Sequence, residues 1–206
     1  MSKIRRIVVL TASLMMLTTI VAAQRPGART RDYFPLRVGN FWKYRHNEGI
    51  EFSYKVVEAG KQADGTTLYQ VQKSQTVNLN SWYTNANGWV ILRKDAYPDH
   101  EGLEMTYKPP KQILKNPLNP GATWTWSGKS VTLGDSTESS TVIGSERVAV
   151  PAGKFRAMKV VSTIRDGESA KTVTNWYVDG VGLVKCWTEA GPFKYGWELI
   201  EYNIAK

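Results

Sequence analysis

The sequence predicts an all-β protein, built as a strongly curved antiparallel sheet or incomplete barrel of about 10–12 strands with little helix. Short segments of alternating apolar and polar residues recur along the chain, separated by turn residues such as glycine, proline and asparagine. No window shows sustained helical periodicity with capping residues at its ends. A flat sheet of this many strands would leave long open edges, so strong curvature or closure is expected.

The first residues have the pattern of a bacterial secretory signal peptide. Lys3, Arg5 and Arg6 form a basic head, residues 7–21 form a short apolar run, and residues 21–23 offer small side chains for cleavage. An uncleaved anchor helix is the alternative, but it needs about 20 apolar residues. No cysteine follows the cleavage point, which argues against lipid attachment there. We expect an exported protein, periplasmic or extracellular, with no integral membrane span after cleavage.

One domain is expected after the signal. Residues 1–23 are the predicted signal peptide, 24–32 a loose polar leader, and 33–206 a single all-β domain. The chain has 27 basic and 18 acidic residues, and removal of the signal with its three basic residues leaves a net charge of +6. Mild positive charge favours contact with anionic envelope surfaces. The basic residues are dispersed rather than arranged in a stripe, so no nucleic acid partner is expected.

Strand patterns recur from residue 41 to residue 202. The strand candidates are 41–46, 51–58, 68–77, 81–83, 89–93, 103–107, 123–126, 139–150, 155–164, 171–178, 181–188 and 194–202. Residues 108–120 interrupt this rhythm with four prolines. Proline lacks the N–H donor that a sheet ladder requires, so we expect a long crossing loop there, with at most one helical turn.

Two tight turns are predicted in the second half of the chain. In residues 150–153, Pro151 presets φ and Gly153 tolerates positive φ. Asp179-Gly180 is a two-residue hairpin signal. Gly182 is expected to mark a bulge or the close approach of another group. Residues 155–164 are apolar on both faces, which places this strand deep in a core or against an apolar cavity.

The chain contains an internal echo. The pattern Pro-Leu-x-x-Gly-x-x-Trp occurs at residues 35–42 and again at residues 117–124. A turn at the glycine, followed by a tryptophan that enters a strand, would be a repeated strand-entry device, and two copies would mark two half-sheets. Chance is the alternative, since four of the eight positions are identical.

Aromatic residues are frequent, with eight Trp and ten Tyr in 206 residues. In β domains such side chains mostly form cross-strand core pairs, and they can also line lipid pockets or stack on sugars. The candidates for core packing or for lining a ligand cavity are Trp42, Trp124, Phe155, Met158 and Trp176. The candidates for surface exposure flank the loop at residues 85–88 and are Trp82, Tyr83 and Trp89.

No catalytic, cofactor-binding or metal-binding set can be nominated. His46 and His100 are the only histidines and Cys186 is the only cysteine, which is too few for a zinc site. The sequence has no nucleophile elbow, phosphate-binding glycine loop or dinucleotide fingerprint. Cys186 shares a strand face with Val184, which favours a buried thiol over an exposed reactive one. We therefore expect a protein that is not an enzyme and has no cofactor.

Three motifs, in their order along the chain, carry a resemblance to known proteins. They are Pro35-Leu36-x-Val38-Gly39-x-x-Trp42, Val150-Pro151-Ala152-Gly153-x-Phe155 and Trp176-Tyr177-x-x-Gly180-Val181-Gly182-Leu183-Val184-Lys185. The chain resembles a group of exported bacterial β-proteins of unknown function, over roughly residues 33–202. That group is similar in fold to periplasmic curved-sheet domains such as the half-barrel lipoprotein and lipid carriers. The resemblance implies fold and location, and it brings no catalytic residues with it.

Two hypotheses for the function stay open. In the first, an exported envelope protein holds an apolar or amphipathic ligand on the concave face of its sheet. In the second, the interior is filled by the protein's own side chains, and the domain is a structural or interaction module that contacts another envelope protein. The first requires a cavity among inward-facing side chains, and the second requires a packed interior with an exposed apolar patch.

Overall fold

Twelve β-strands make up the described part of the chain. The computed structural model describes residues 30–130 and 134–205. The strands are β1 (Phe41–His46), β2 (Glu51–Lys61), β3 (Thr67–Ser74), β4 (Leu79–Ala86), β5 (Trp89–Ala96), β6 (Glu104–Lys115), β7 (Thr123–Ser130), β8 (Gly134–Val150), β9 (Gly153–Asp166), β10 (Ser169–Val178), β11 (Gly182–Ala190) and β12 (Phe193–Asn203). The described ranges contain no helix long and apolar enough to cross a membrane. The predicted signal peptide, residues 1–23, and residues 24–29 of the predicted leader lie outside the described residues.

The strands form one closed antiparallel barrel. Each strand pairs with its neighbours in sequence, and β1 pairs with β12 to close the ring. The all-β prediction is confirmed, and the expected curvature is carried through to closure. Closure removes the two edge strands that an open sheet would expose. Because side chains alternate along a strand, Trp42 and Tyr44 of β1 both face the interior, where they are buried.

The expectation of a crossing loop at residues 108–120 is wrong for its first part. Strand β6 runs through Pro109 and Pro110 and ends at Lys115. The pairing of β6 with β5 omits residues 107–110. The two prolines therefore lie in a bulge, where the ladder with β5 takes no N–H from them. Residues 116–122 form the connection to β7.

The seam between β6 and β7 differs from the other strand pairs. In the described residues one pair joins these two backbones, whereas β1 and β12 share six pairs. Side chains connect the strands instead. The indole nitrogen of Trp126 donates to the carbonyl of Pro109 over 3.1 Å, and the Lys111 ammonium lies 2.8 Å from the carboxylate of Glu138 on β8. At this seam, side-chain contacts hold β6 to its neighbours, whereas the other strand pairs are joined mainly by backbone hydrogen bonds.

The two copies of the Pro-Leu-x-x-Gly-x-x-Trp pattern make the same turn. Gly39 has a φ of +94°, a conformation that favours glycine, and its N–H donates to Val56 O over 2.9 Å. The Val56 N–H donates to Asn40 O over 2.9 Å, and the Asn40 N–H donates to Arg37 O over 3.0 Å. In the second copy the corresponding bonds run from Gly121 N to Val142 O (2.8 Å), from Val142 N to Ala122 O (2.9 Å) and from Ala122 N to Asn119 O (3.0 Å).

The match between the two copies extends along the strands that follow. The register of β2 against β3 shifts directly after Val56, and that of β8 against β9 shifts directly after Val142. The register of β4 against β5 shifts directly after Trp82, and that of β10 against β11 directly after Trp176. A lysine lies opposite each of these tryptophans. The barrel is thus an approximate repeat of two six-strand units, β1–β6 and β7–β12.

Two connecting segments cover one end of the barrel, which we call the floor. Residues 30–40 precede β1, and residues 116–122 join β6 to β7. Each segment buries a leucine in the core, Leu36 in the first and Leu118 in the second. The segments contact each other where the Tyr33 N–H donates to the side-chain oxygen of Asn116 over 3.0 Å. The two strand-entry devices therefore close the same end of the barrel.

Candidate functional site

A cavity of about 180 Å³ lies inside the first six-strand unit, directly above the floor. Its walls are mostly aromatic and aliphatic. The lining residues are Phe34, Pro35, Leu36, Trp42, Tyr44, Tyr54, Val71, Tyr83, Gly182 and Leu183. The cavity therefore lies where the floor segment, strands β1 to β4 and the start of β11 meet.

Strand alternation brings the wall residues together. Trp42 and Tyr44 are two residues apart on β1, so both point inward. Tyr54 on β2 lies opposite Trp42 in the ladder. Tyr83 on β4 lies two positions from Ser81, which is opposite Val71 of β3. The alternation of side chains along each strand thus places the phenol rings of Tyr44, Tyr54 and Tyr83 around one space.

Gly182, which was predicted to mark a bulge or a close approach, lies beside Pro35 and Trp42 at ordinary contact distances, and the register of β10 against β11 shifts directly after Trp176 instead. Gly182 has a φ of +102°, and a Cβ added there would lie 3.4 Å from Pro35 Cδ and 3.5 Å from Trp42 Nε1. The Trp42 indole donates to the carbonyl of Val181 over 2.6 Å. The turn between β10 and β11 therefore fixes the Trp42 ring and one wall of the cavity together.

Of the three phenol groups at the cavity, Tyr44 is buried and Tyr54 and Tyr83 are half-buried, and all three stay protonated at neutral pH. The Tyr44 hydroxyl donates to the carbonyl of Leu183 over 2.8 Å. Burial raises the pKa of Tyr44, and the neighbouring Tyr54 raises it further. Burial likewise raises the pKa of Tyr54 and of Tyr83, with Asp95 adding to both. The cavity is therefore an uncharged, mainly apolar space with a few hydroxyl groups in its wall.

A lysine lies one aromatic ring away from the cavity. Phe52 stacks on Tyr44 with ring centroids 5.4 Å apart and meets Tyr54 edge-on at 5.8 Å. The Lys73 ammonium lies 4.8 Å from the centroid of the Phe52 ring. Partial burial lowers the pKa of Lys73. A positive charge thus faces the same aromatic cluster that lines the cavity.

A buried carboxyl group, Asp95, acts electrostatically on Tyr54 and Tyr83, two of the tyrosines that line the cavity. Asp95 on β5 accepts a hydrogen bond from Ser81 (2.5 Å) and another from Tyr107 (2.7 Å). Burial raises the pKa of Asp95, while the two hydrogen bonds and Lys111 lower it. Both carboxyl oxygens have donors from the protein itself. Asp95 is therefore a buried group whose hydrogen bonds are satisfied within the protein.

Of the five aromatic or sulfur residues nominated for the core or a cavity, Trp42 lines the cavity. Trp124 and Met158 are buried elsewhere in the core, and Trp124 meets Trp89 edge-on at 6.0 Å. Phe155 is half-buried and packs on Tyr202, with centroids 6.2 Å apart.

Trp176 lies on the outer side of β10. Its ring is half-buried, and its indole donates to Glu146. The ammonium groups of Lys159 and Lys185 lie 5.5 Å and 5.7 Å from the Trp176 ring. The structure therefore separates Trp176 from Trp42 and places the two on opposite faces of the barrel wall.

The three residues nominated for exposure are half-buried, and one of them lies inside the barrel. Tyr83 lines the cavity and packs on Phe34, with centroids 5.3 Å apart. Trp82 faces outward beneath the ammonium of Lys94, which is 4.5 Å from its ring. Trp89 packs on Trp124 and lies 4.8 Å from the Lys115 ammonium.

The groups with reactive potential lie apart. Cys186 is buried, and burial raises its pKa to about 12, so the thiol stays protonated. His46 packs between Phe52 and Trp197, with ring centroids 5.6 Å and 5.4 Å away. Across residues 30–130 and 134–205, no three His, Cys, Asp or Glu side chains group as a metal site would require.

Sequence reasoning missed most of the cavity wall. Tyr44 and Tyr54 were not nominated, although the alternation of Phe52, Tyr54 and Val56 on one face of β2 is visible in the sequence. Lys73, which lies beside the wall, was not nominated either. Lys73 becomes a site residue only through its register, because it lies opposite Tyr54 in the β2–β3 ladder.

Comparisons with known proteins identify the fold. No protein family and no curated protein matches the sequence. A solved structure named "putative lipoprotein", from Parabacteroides distasonis ATCC 8503, aligns with 85% of this chain and 100% of its own at 14% identity and a TM-score of 0.52. A "putative exported protein with YmcC-like fold" from Bacteroides fragilis NCTC 9343 aligns with 84% of this chain and 99% of its own at 14% identity and a TM-score of 0.51. At this identity the likeness establishes a shared all-β fold.

Proposed function

We propose that this chain is an exported, non-catalytic binding protein of the bacterial envelope, and that its barrel holds a small apolar or amphipathic ligand. The observation that carries the proposal is the cavity of about 180 Å³ beside Trp42, Tyr44, Tyr54 and Tyr83. The signal-like start of the sequence and the names of the two structural neighbours support export. Apolar walls with a few placed polar groups are typical of small-molecule sites.

The size of the cavity limits the ligand. Sites for drug-sized molecules have volumes of about 300–1,000 Å³, and the space here is about 180 Å³. A protein cavity of about 150 Å³ holds one benzene ring. The buried part of the ligand is therefore a single ring or a chain of about six carbons.

A titration with hexan-1-ol tests the proposal. The probe has an apolar chain of the right size and a neutral head. The Trp42 indole N–H lies at the cavity, so its NMR signal is expected to shift and saturate, whereas the signal of Trp124 is expected to stay in place. Trp42→Phe assigns the signal. Organic extraction of the protein purified from an envelope fraction, followed by mass spectrometry, reports the natural ligand.

A variant whose cavity is filled by a larger side chain provides the control. Val71→Phe adds a ring to the wall and is expected to abolish the hexan-1-ol response. Ile143→Phe adds the same ring at a residue that is 56% exposed, so binding is expected to be unchanged. Thermal denaturation shows whether each variant is folded. A folded Val71→Phe protein that binds like the wild type would count against the cavity as the site.

A second candidate function has its own observation. At the end opposite the floor, three turns and the first residue of β12 carry exposed apolar side chains, which we call the rim residues: Ile50, Val77, Leu103 and Phe193. Phe193 is the most exposed of them at 71%. Exposed apolar groups gathered at one end are typical of a contact surface, which favours an interaction module that binds another envelope protein.

Cross-linking in envelope fractions tests this second function. Replacement of all four apolar rim residues by serine is expected to remove a cross-linked species. The matched control replaces Val38 and Ile143, which are exposed at other places on the barrel. If both proteins give the same cross-linked species, or if neither gives one, the rim is not a partner surface.

A further inference from the structure

The inward-facing lysine next to the cavity carries an inference about the ligand, and this inference depends on the proposed function. Lys73 lies on β3 opposite Tyr54 on one side and Leu79 on the other. Its ammonium lies 4.8 Å from the ring of Phe52, which is itself 3% exposed. The charge is therefore at a half-buried position beside the aromatic cluster of the barrel.

The Lys73 ammonium differs from the other partly buried lysines in its surroundings. Lys111 lies 2.8 Å from Glu138, and Lys185 lies 2.6 Å from Glu198. Within residues 30–130 and 134–205 no carboxylate or hydrogen-bond acceptor is within bonding distance of Lys73 Nζ, and its ring contact with Phe52 is its one polar interaction. A partly buried cation without an anion is costly for a protein. A bound anion would offset that cost.

Lys73 is not itself a lining residue of the cavity, but it lies opposite Tyr54, which is one. Phe52, the aromatic neighbour of Lys73, contacts Tyr44 and Tyr54, both of which line the cavity. We infer that the ligand is an amphiphile with an anionic head, whose apolar part occupies the cavity and whose head pairs with Lys73. A charged pair of this kind is stronger than a neutral hydrogen bond.

The remaining charged group near the cavity favours an anion over a cation. Asp95 is the acid that faces Tyr54 and Tyr83. Its two oxygens already accept hydrogen bonds from Ser81 and Tyr107. A cationic head would have to displace these donors, whereas the three N–H groups of Lys73 have no acceptor among the described residues. The N–H groups of Lys73 are thus free hydrogen-bond donors near the cavity.

Two probes that differ only in the head separate the possibilities. Hexanoate and hexan-1-ol carry chains of the same length, and both are titrated by NMR at pH 8. The wild type is expected to bind hexanoate about 10-fold or more tightly than hexan-1-ol, as a charge-assisted bond implies. Hexyl phosphate in a parallel titration distinguishes a phosphate head from a carboxylate head.

Variants of Lys73 complete the test. Lys73→Met is expected to weaken hexanoate binding to the level of hexan-1-ol while leaving hexan-1-ol binding unchanged. Lys73→Arg keeps the charge and is expected to retain the preference for hexanoate. Lys55→Met removes an exposed lysine from the same sheet region and is expected to have no effect.

The possible failures are distinguishable. Equal affinity of the wild type for hexanoate and hexan-1-ol, or an unchanged preference in a folded Lys73→Met protein, overturns the assignment of an anionic head and leaves the cavity function standing. Absence of binding for all three probes in the wild type overturns the cavity function itself.

Discussion

Loss of the Glu138 charge is expected to open the β6–β7 seam. Glu138 and Lys111 form an ion pair of 2.8 Å whose side chains are 11% and 19% exposed. Breaking a buried pair leaves the other charge without compensation and costs about 3–5 kcal/mol. Because neither side chain is fully buried, we expect the lower end, about 3 kcal/mol, for Glu138→Gln. One backbone pair joins β6 to β7 in the described residues, so a ladder cannot make up the loss.

Thermal and urea denaturation measure this loss. For a domain of this size about 3 kcal/mol corresponds to a fall in Tm of about 6–12 °C. The double variant with Lys111→Met is expected to lose less than the sum of the single variants, by at least about 1 kcal/mol. As a control, Asp135→Asn removes an ion pair of 3.9 Å whose side chains are 78% and 84% exposed. That change is expected to stay within about 0.5 kcal/mol. Additive losses at Lys111 and Glu138 would refute the reasoning.

Three further predictions concern single residues. Gly182→Ala is expected to destabilise the protein more than Gly65→Ala in urea denaturation, because the φ of +102° at Gly182 lies further from the left-handed region open to other residues than the φ of +80° at Gly65. Burial raises the pKa of Cys186 to about 12, so the unfolded chain, with a thiol pKa of about 8.5, loses its proton first. The Cys186 contribution to stability therefore falls as pH rises above about 8.5, and a thiol reagent should label Cys186 only on unfolding. Trp42→Phe should destabilise by about 1–3 kcal/mol more than Trp124→Phe, since the Trp42 indole donates to a backbone carbonyl and the Trp124 indole has no partner among the described residues.

The succession of strands along the chain was predictable from the sequence, because period-two alternation and turn residues are local signals. The strand conformation of residues 108–115 was not predictable. Proline is excluded from a strand only where the ladder needs its backbone N–H as a donor. At Pro109 and Pro110 the pairing with β5 is interrupted by a bulge. A bulge depends on the register of two strands, which the sequence of one strand does not specify.

The placement of Tyr83 shows a limit of reasoning from neighbouring loops. Trp82 and Tyr83 were both expected at the surface because an Asn-Gly loop follows them. Adjacent residues of a strand point to opposite faces, so one of the two must face the interior. Trp82 lies outside beneath Lys94, and Tyr83 lines the cavity. The alternation rule was sufficient to separate them, but the choice of which one faces inward required the register with β3.

The repeat of two six-strand units explains why one half of the barrel holds the cavity. The two units can be aligned on Val56 of the first and Val142 of the second. At the same offsets from these residues in their ladders, the first unit has Tyr54 and Lys73, and the second unit has Ser140 and Ser162. The two serines bond each other over 2.7 Å, whereas Tyr54 borders an open space. The backbone repeat supplies the barrel, and the change of these inward side chains sets the chemistry of each half. The proposed ligand site therefore lies on one side of an approximately symmetric frame, where large rings border a cavity and Lys73 has no anionic partner among the described residues.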